Sequence, residues 1–250
     1  MIYFCHRIST AMQRIQLSVS LGSDWFAVLE IPPQSIENVL IKLTARYRLD
    51  LSKDQKYRRR KAGLSVADLV IYYDSQLAKY RLFVLATLGQ DAMSWTHAGY
   101  ENLQSIRVAR VAFSDQYELV YLTRKKSAML NRGRSSDAPE TWTWRMTEVQ
   151  YAKMQRYLEK SVVAHPNNPL LLKQAVYVLE RMPGLRGVRQ QIGTLWAHTL
   201  KQWKHVYKAD MPHILKLHFM RMQGNDVDTL KELVAHVQRR AAEKAAQSVS

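Results

Sequence analysis

The 250-residue sequence has one cysteine, Cys5. A single thiol excludes a disulfide framework within the chain and a thiolate-rich zinc site, and it fits a reducing compartment such as the cytoplasm. Long apolar runs are missing too. No stretch approaches the roughly 20 residues of a membrane-spanning helix, so a membrane is not an expected partner. The opening residues, "MIYFCHRISTAMQRIQ", carry His6 and Arg7 but no extended apolar segment of the signal-peptide kind. Residues 1–12 therefore read as a disordered or mis-assigned extension, with Met12 a candidate start. The sequence also lacks HExxH, P-loop and GxSxG motifs and any dense set of carboxylates. Neither a metal nor a cofactor is expected.

Acidic side chains are scarce: 21 Asp and Glu stand against 37 Lys and Arg, a formal net charge of +16. Such an excess repels itself in a compact chain and is usually kept for a polyanion. Nucleic acid is the leading partner. The chain is no charged tail, because 47% of it is hydrophobic, enough to bury a core. Its length suits one large domain or two small ones.

The pattern divides into a strand-rich half, 13–146, and a helix-rich half, 147–250. "QRIQLSVSLGSDWFAVLEI" alternates around Ile15, Leu17 and Val19 and reads as one or two strands. Ile36, Val39, Leu40, Leu43 and Tyr47 then fall at helical spacing behind a proline. Residues 67–89 read as a hairpin. "QDAMSWTHAGYENLQSI" is a possible short helix, and "YELVYLTRKK" and "TWTWRMT" read as strands. This order predicts an α+β chain, with a ferredoxin-like βαββαβ unit first and one further strand extending its sheet. In the second half, Thr147-Glu148-Val149-Gln150 is a capping box ahead of Tyr151, Met154, Leu158 and Val162. A second helix starts at Asn168-Pro169, a third spans about Arg186 to Lys208, and a fourth starts near Asp226 or Asp228.

Three clusters of cations stand out. The third helix carries Arg186, Arg189, Lys201, Lys204 and Lys208 opposite an apolar stripe of Val188, Ile192, Leu195, Trp196, Thr199, Trp203 and Val206. Gly193 and Ala197 keep the basic side low, and no Asp or Glu occurs between Arg181 and Ala209. An ordinary solvated face mixes both signs, so this one suits a row of phosphates. In "QKYRRRKAG", Arg58, Arg59, Arg60 and Lys61 follow Tyr57, and the run reads as a flexible arm ending at Gly63. Guanidinium groups beside exposed rings suit nucleic acid. The third cluster is Lys125, Lys126, Arg132 and Arg134, in a Ser-, Gly- and Arg-rich joint. Tyr72, Tyr73, Tyr80, Phe83, Trp142 and Trp144 are either core or stacking platforms. No "RGFGFVxF"-type segment marks a standard RNA-recognition motif. RNA can be cleaved without a metal by a base, an acid and cations around the phosphate. His97 and Tyr100 are candidates for those roles.

The strand–helix–hairpin order over about residues 13–145, the basic charge and the missing metal ligands together resemble the repeat-associated RAMP superfamily, which includes the endonucleases that process CRISPR guide RNA. The resemblance implies RNA rather than DNA as partner, metal-independent cleavage with the product retained, and other subunits of a ribonucleoprotein. The family's glycine-rich loop has at most "MPGLRGVRQQIG" as a counterpart, which leads into helices. A divergent member with an appended helical region, as in plasmid-borne type IV systems, is the nearest kind, and no catalytic residue transfers by position. "QKYRRRKAG", "TWTWRMT" and "GLRGVRQQIG" also resemble segments of proteins from bacterial plasmids and integrative elements. That keeps open a non-enzymatic DNA-binding accessory of replication, partition or transfer, and a structural subunit of a larger assembly.

Overall fold

A β-branched and aromatic stretch folded back on itself forms the centre of the first sheet. β3 (Val66–Asp74) and β4 (Lys79–Thr87) pair antiparallel over their whole length. Asp74 makes the turn: its Oδ1 accepts the N–H groups of Gln76 and Leu77 at 2.9 and 3.4 Å. The computed structural model describes residues 1–87, 89–91, 102–122, 141–217 and 229–247. The chain is α+β, with seven helices among the described residues. It divides into two compact units, one of residues 1–109 and 222–250 and one of residues 110–221. The 146/147 junction between the halves read from the pattern lies inside the second unit.

In the first unit, β2 (Trp25–Ile31) pairs antiparallel with β4, and β1 (Ile2–Cys5) pairs parallel with β3. A two-residue strand, β5 (Gln104–Ser105), borders β2, and the order is β1-β3-β4-β2-β5. Residues 1–12, expected to lie outside the fold, supply an edge strand and the first turn of α1 (Ile8–Ser20). The expected strand over 13–19 is that helix. Ala11, Met12, Ile15 and Val19 are buried at a period near 3.6, whereas Leu17, part of the apparent alternation, is only half-buried. The helical period becomes visible only when residues 8–12 are read together with 13–19.

α2 (Ile36–Tyr47) follows a 3-10 turn at Pro33–Ser35 and buries Ile36, Leu43 and Tyr47. These pack with Leu69, Ile71, Leu82 and Val84 on one face of the sheet, joined by Leu233 of α7 (Leu230–Gln247). α1 covers the opposite face, since its Ser18 reaches Asp68, which alternates with Ala67 and Leu69 along β3.

The second unit has its own antiparallel sheet, β6 (Ala112–Phe113), β7 (Tyr117–Leu122) and β8 (Thr141–Met146). The last two were expected to close and extend the first sheet. They pair with each other instead because Phe113, Leu119 and Trp144 give this sheet a separate apolar face. Burial pushes the Tyr117 hydroxyl up to about 12. Glu118 is held between Arg110 (2.9 Å) and Arg145 (2.7 Å). Burial alone would raise its pKa, but the two arginines outweigh that and hold it below the usual range.

Three helices follow: α4 (Glu148–Ala164), α5 (Pro169–Arg181) and α6 (Arg186–Tyr207). Thr147 caps α4, its Oγ1 accepting the Gln150 N–H at 3.3 Å, but its own N–H bonds the Gln116 carbonyl at 2.9 Å, so half of the expected capping box forms. α6 docks on β8 through its first turns. A Cβ at Gly187 would stand 2.4 Å from the Trp144 carbonyl oxygen, so only glycine permits the approach. Gln191 pairs with both backbone groups of Met146, at 2.6 and 3.0 Å, as a neighbouring strand would.

Candidate nucleic-acid interface

The run "QKYRRRKAG" is a helix. α3 (Lys53–Lys61) opens on a reciprocal capping box between Ser52 and Gln55, at 2.8 and 3.2 Å. It closes on Gly63, whose φ of 71° suits glycine. The Gly63 N–H bonds the Arg60 carbonyl, and the Leu64 N–H bonds that of Arg59. The expectation of a flexible arm is thereby corrected. Signals for starting and stopping the helix flank the cations, and four positive charges in the last turn face the negative end of the helix dipole.

Two of the α3 cations are committed to the fold. Lys56 is buried, and its Nζ donates to Asp68 Oδ1 at 2.7 Å and to the Ala67 carbonyl. Asp68 also accepts from Ser18 Oγ at 3.1 Å. Burial lowers the Lys56 pKa, with Asp68 opposing. Arg59 Nε donates to the Ser65 carbonyl at 3.1 Å, and its guanidinium pairs with Asp91. Burial would raise the Asp91 pKa, but the Ser65 N–H and Arg59 together hold it low.

Lys53, Arg58, Arg60 and Lys61 are exposed, and Tyr57 between them is 67% open. Lys53, Tyr57, Arg60 and Lys61 lie on one side of the helix, three or four residues apart. The Arg14 guanidinium carbon sits 4.9 Å from the centre of the Tyr3 ring. Burial, and next the Asp68 charge, raise the Tyr3 pKa, while Arg14 and Arg60 pull it down. Arg14 is thus in contact with the Tyr3 ring. Neither Tyr3 nor Arg14 was legible as part of a basic patch, because residue 3 lay in the discarded extension and residue 14 in a misread strand.

On α6 the apolar stripe stands as expected for Val188, Ile192, Leu195, Thr199 and Trp203, which are buried, whereas Val206 is 51% exposed. Of the five expected phosphate contacts, Lys201, Lys204 and Lys208 are open, and Arg186 and Arg189 are half-buried. Burial lowers the Arg189 pKa. The face between the arginines and the lysines is open at Gly193, where a Cβ would meet nothing within 4 Å.

On one flank, α4 and α6 bound an open groove of about 340 Å³ that holds Glu159, His198, Lys201 and His205. His198 Nε2 lies 3.1 Å from Glu159 Oε1, to which Gln155 also donates at 3.0 Å. The Gln155 bond first, and then that of His198, outweigh burial and keep Glu159 ionised below the usual range. This constellation was missed in the sequence, where 39 residues separate its halves.

Several expected residues lie outside the described regions: His97, Tyr100, Lys125, Lys126, Arg132 and Arg134. Among the aromatic candidates, Tyr80, Phe83 and Trp144 are buried core, while Trp142 is half-exposed and packs on Tyr121 at 5.2 Å. Among the described residues no group of three or more His, Cys, Asp or Glu could hold a metal ion, and no helix is long and apolar enough to cross a membrane. No protein-family model matches the chain, and neither does a curated protein or a solved structure.

Proposed function

We propose that the chain binds nucleic acid, with RNA favoured over DNA, through the exposed cations of α3 and α6. The observation that carries this reading is the pairing state of the cations. Those needed by the fold, Lys56 and Arg59, have buried or short-range carboxylate partners. Arg58, Arg60, Lys61, Lys201, Lys204 and Lys208 are exposed on or at the end of α3 and α6. Exposed cations held at helical spacing attract a phosphate chain and release its counterions. Tyr57, open among them, offers a ring on which an unpaired base can stack.

A ferredoxin-like reading of the first sheet supports RNA as partner. This reading takes β2 as the first strand, so that the order β5-β2-β4-β3 is numbered 4-1-3-2 as in a split βαβ unit. Its fourth strand is then β5, and β1 is an added edge. Guide-RNA processing inside a ribonucleoprotein is the specific form this reading takes.

The test is competition between a single-stranded RNA and a DNA of the same sequence for the purified chain. RNA should bind more tightly, and Arg58→Gln with Arg60→Gln and Lys61→Gln should weaken both. Preference for DNA would favour an accessory of a plasmid or integrative element. No binding of either would end the proposal.

A further inference from the structure

We infer that the groove between α4 and α6 is a ribonucleolytic site in which His198 is the general base. The inference rests on the RNA-binding reading above. Its geometry starts from one bond. A carboxylate can only accept, so the 3.1 Å contact with Glu159 fixes the proton of neutral His198 on Nε2. Nδ1 is then the ring's basic nitrogen. Glu159, itself held by Gln155, orients the imidazole and faces the charge that forms when it is protonated.

Lys201 is one turn further along α6, and His205 is one turn beyond that. The two histidines are separated by about 10 Å of helix rise with the lysine between them. All three line the same groove. Val163 and Val206 on its walls are 72% and 51% exposed, so side-chain packing does not close it. Its volume is at the lower end for small-ligand sites, a fit for one nucleotide and its phosphate.

These groups suffice for cleavage by the RNA's own 2′-hydroxyl. His198 Nδ1 takes the 2′-hydroxyl proton, and the 2′-oxygen attacks the adjacent phosphorus. The P–O5′ bond breaks, and its electron pair leaves on O5′, which takes a proton from protonated His205. Lys201 faces the negative charge on the non-bridging oxygens. The products are a 2′,3′-cyclic phosphate and a 5′-hydroxyl, and no water, oxidant or cofactor is consumed. Glu159 acts here as a positioning residue.

The experiment incubates the full chain with a random-sequence RNA pool in the presence of a chelator, and reads new 2′,3′-cyclic phosphate ends by sequencing. Binding of the pool is measured in parallel. Wild type should generate such ends. His198→Ala, purified identically, should lose about 100-fold or more in rate with unchanged RNA affinity and thermal midpoint. Imidazole in the buffer should restore part of that loss. Glu159→Gln should lower the rate and leave affinity unchanged, a split that a purely structural role would not give. Binding without cyclic-phosphate ends above the His198→Ala level would overturn the inference and leave the binding proposal standing. Failure to bind the pool would overturn both.

Discussion

α3 and α6 are both rich in cations, but the fold uses them differently. α3 has little apolar surface and is fastened through its charges: Lys56 to Asp68 and Arg59 to Asp91. α6 is fastened by an apolar stripe and by the close approach of Gly187 to β8, with its lysines on the far side. A run of like charge is therefore not one kind of feature. Some cations in it replace a hydrophobic anchor, and only the others are available to a partner.

Breaking the α3 anchor should have the largest effect. Lys56→Ala removes the shorter of two ion pairs to the buried Asp68 carboxylate and leaves the N-terminal ammonium at 3.1 Å, at a cost of about 3 kcal/mol. Lys204→Ala on α6 should stay within about 0.5 kcal/mol. Urea denaturation measures both. The double change Lys56→Met with Asp68→Leu should recover part of the loss, since the only charge then left without its partner is the N-terminal ammonium, which is partly open to water. If Lys56→Ala were as mild as Lys204→Ala, the distinction between the helices would fail.

The α6 anchor breaks by overpacking. Gly187→Ala sets a methyl against the Trp144 carbonyl and should cost about 1–3 kcal/mol. Gly193→Ala, with open space at its Cβ, should be neutral or slightly stabilising through its better helix propensity. Thermal midpoints of the two variants check this.

Acid provides a third probe, directed at the unit that carries α6. Glu118 has a folded pKa below its ordinary value of 4.5. Its contribution is complete above that value and is lost as pH falls through the folded pKa. Glu118→Gln should lower stability at neutral pH and flatten its decline below about pH 4.5. A parallel decline in wild type and variant would show that the Arg110–Glu118–Arg145 cluster adds nothing.

The strongest periodic signals in the sequence became structure where expected. Ile36 to Tyr47, the 67–89 hairpin, the Thr147 cap and the α6 stripe each rest on local chemistry that a single segment contains. What stayed hidden was non-local. Residues 1–12 looked patternless because β1 is short and half-buried at a sheet edge, and its parallel partner is 67 residues away. The second sheet was read as an extension of the first because strand pairing is not written in either strand alone. Lys56 and Arg59 were indistinguishable from Arg58 and Arg60 without Asp68 and Asp91 across from them. The pairing of Glu159 with His198 depends on two helices meeting, which no spacing rule marks.

The central claim is that the open lysines of α6 meet phosphate. The most direct measurement is the salt dependence of binding to single-stranded RNA for wild type and for Lys201→Gln with Lys204→Gln and Lys208→Gln. At about 0.7 per phosphate contact, the slope of log K against log salt should shrink by about 2 in the triple variant, with stability unchanged. An unchanged slope, or wild-type binding that does not respond to salt, would contradict the account.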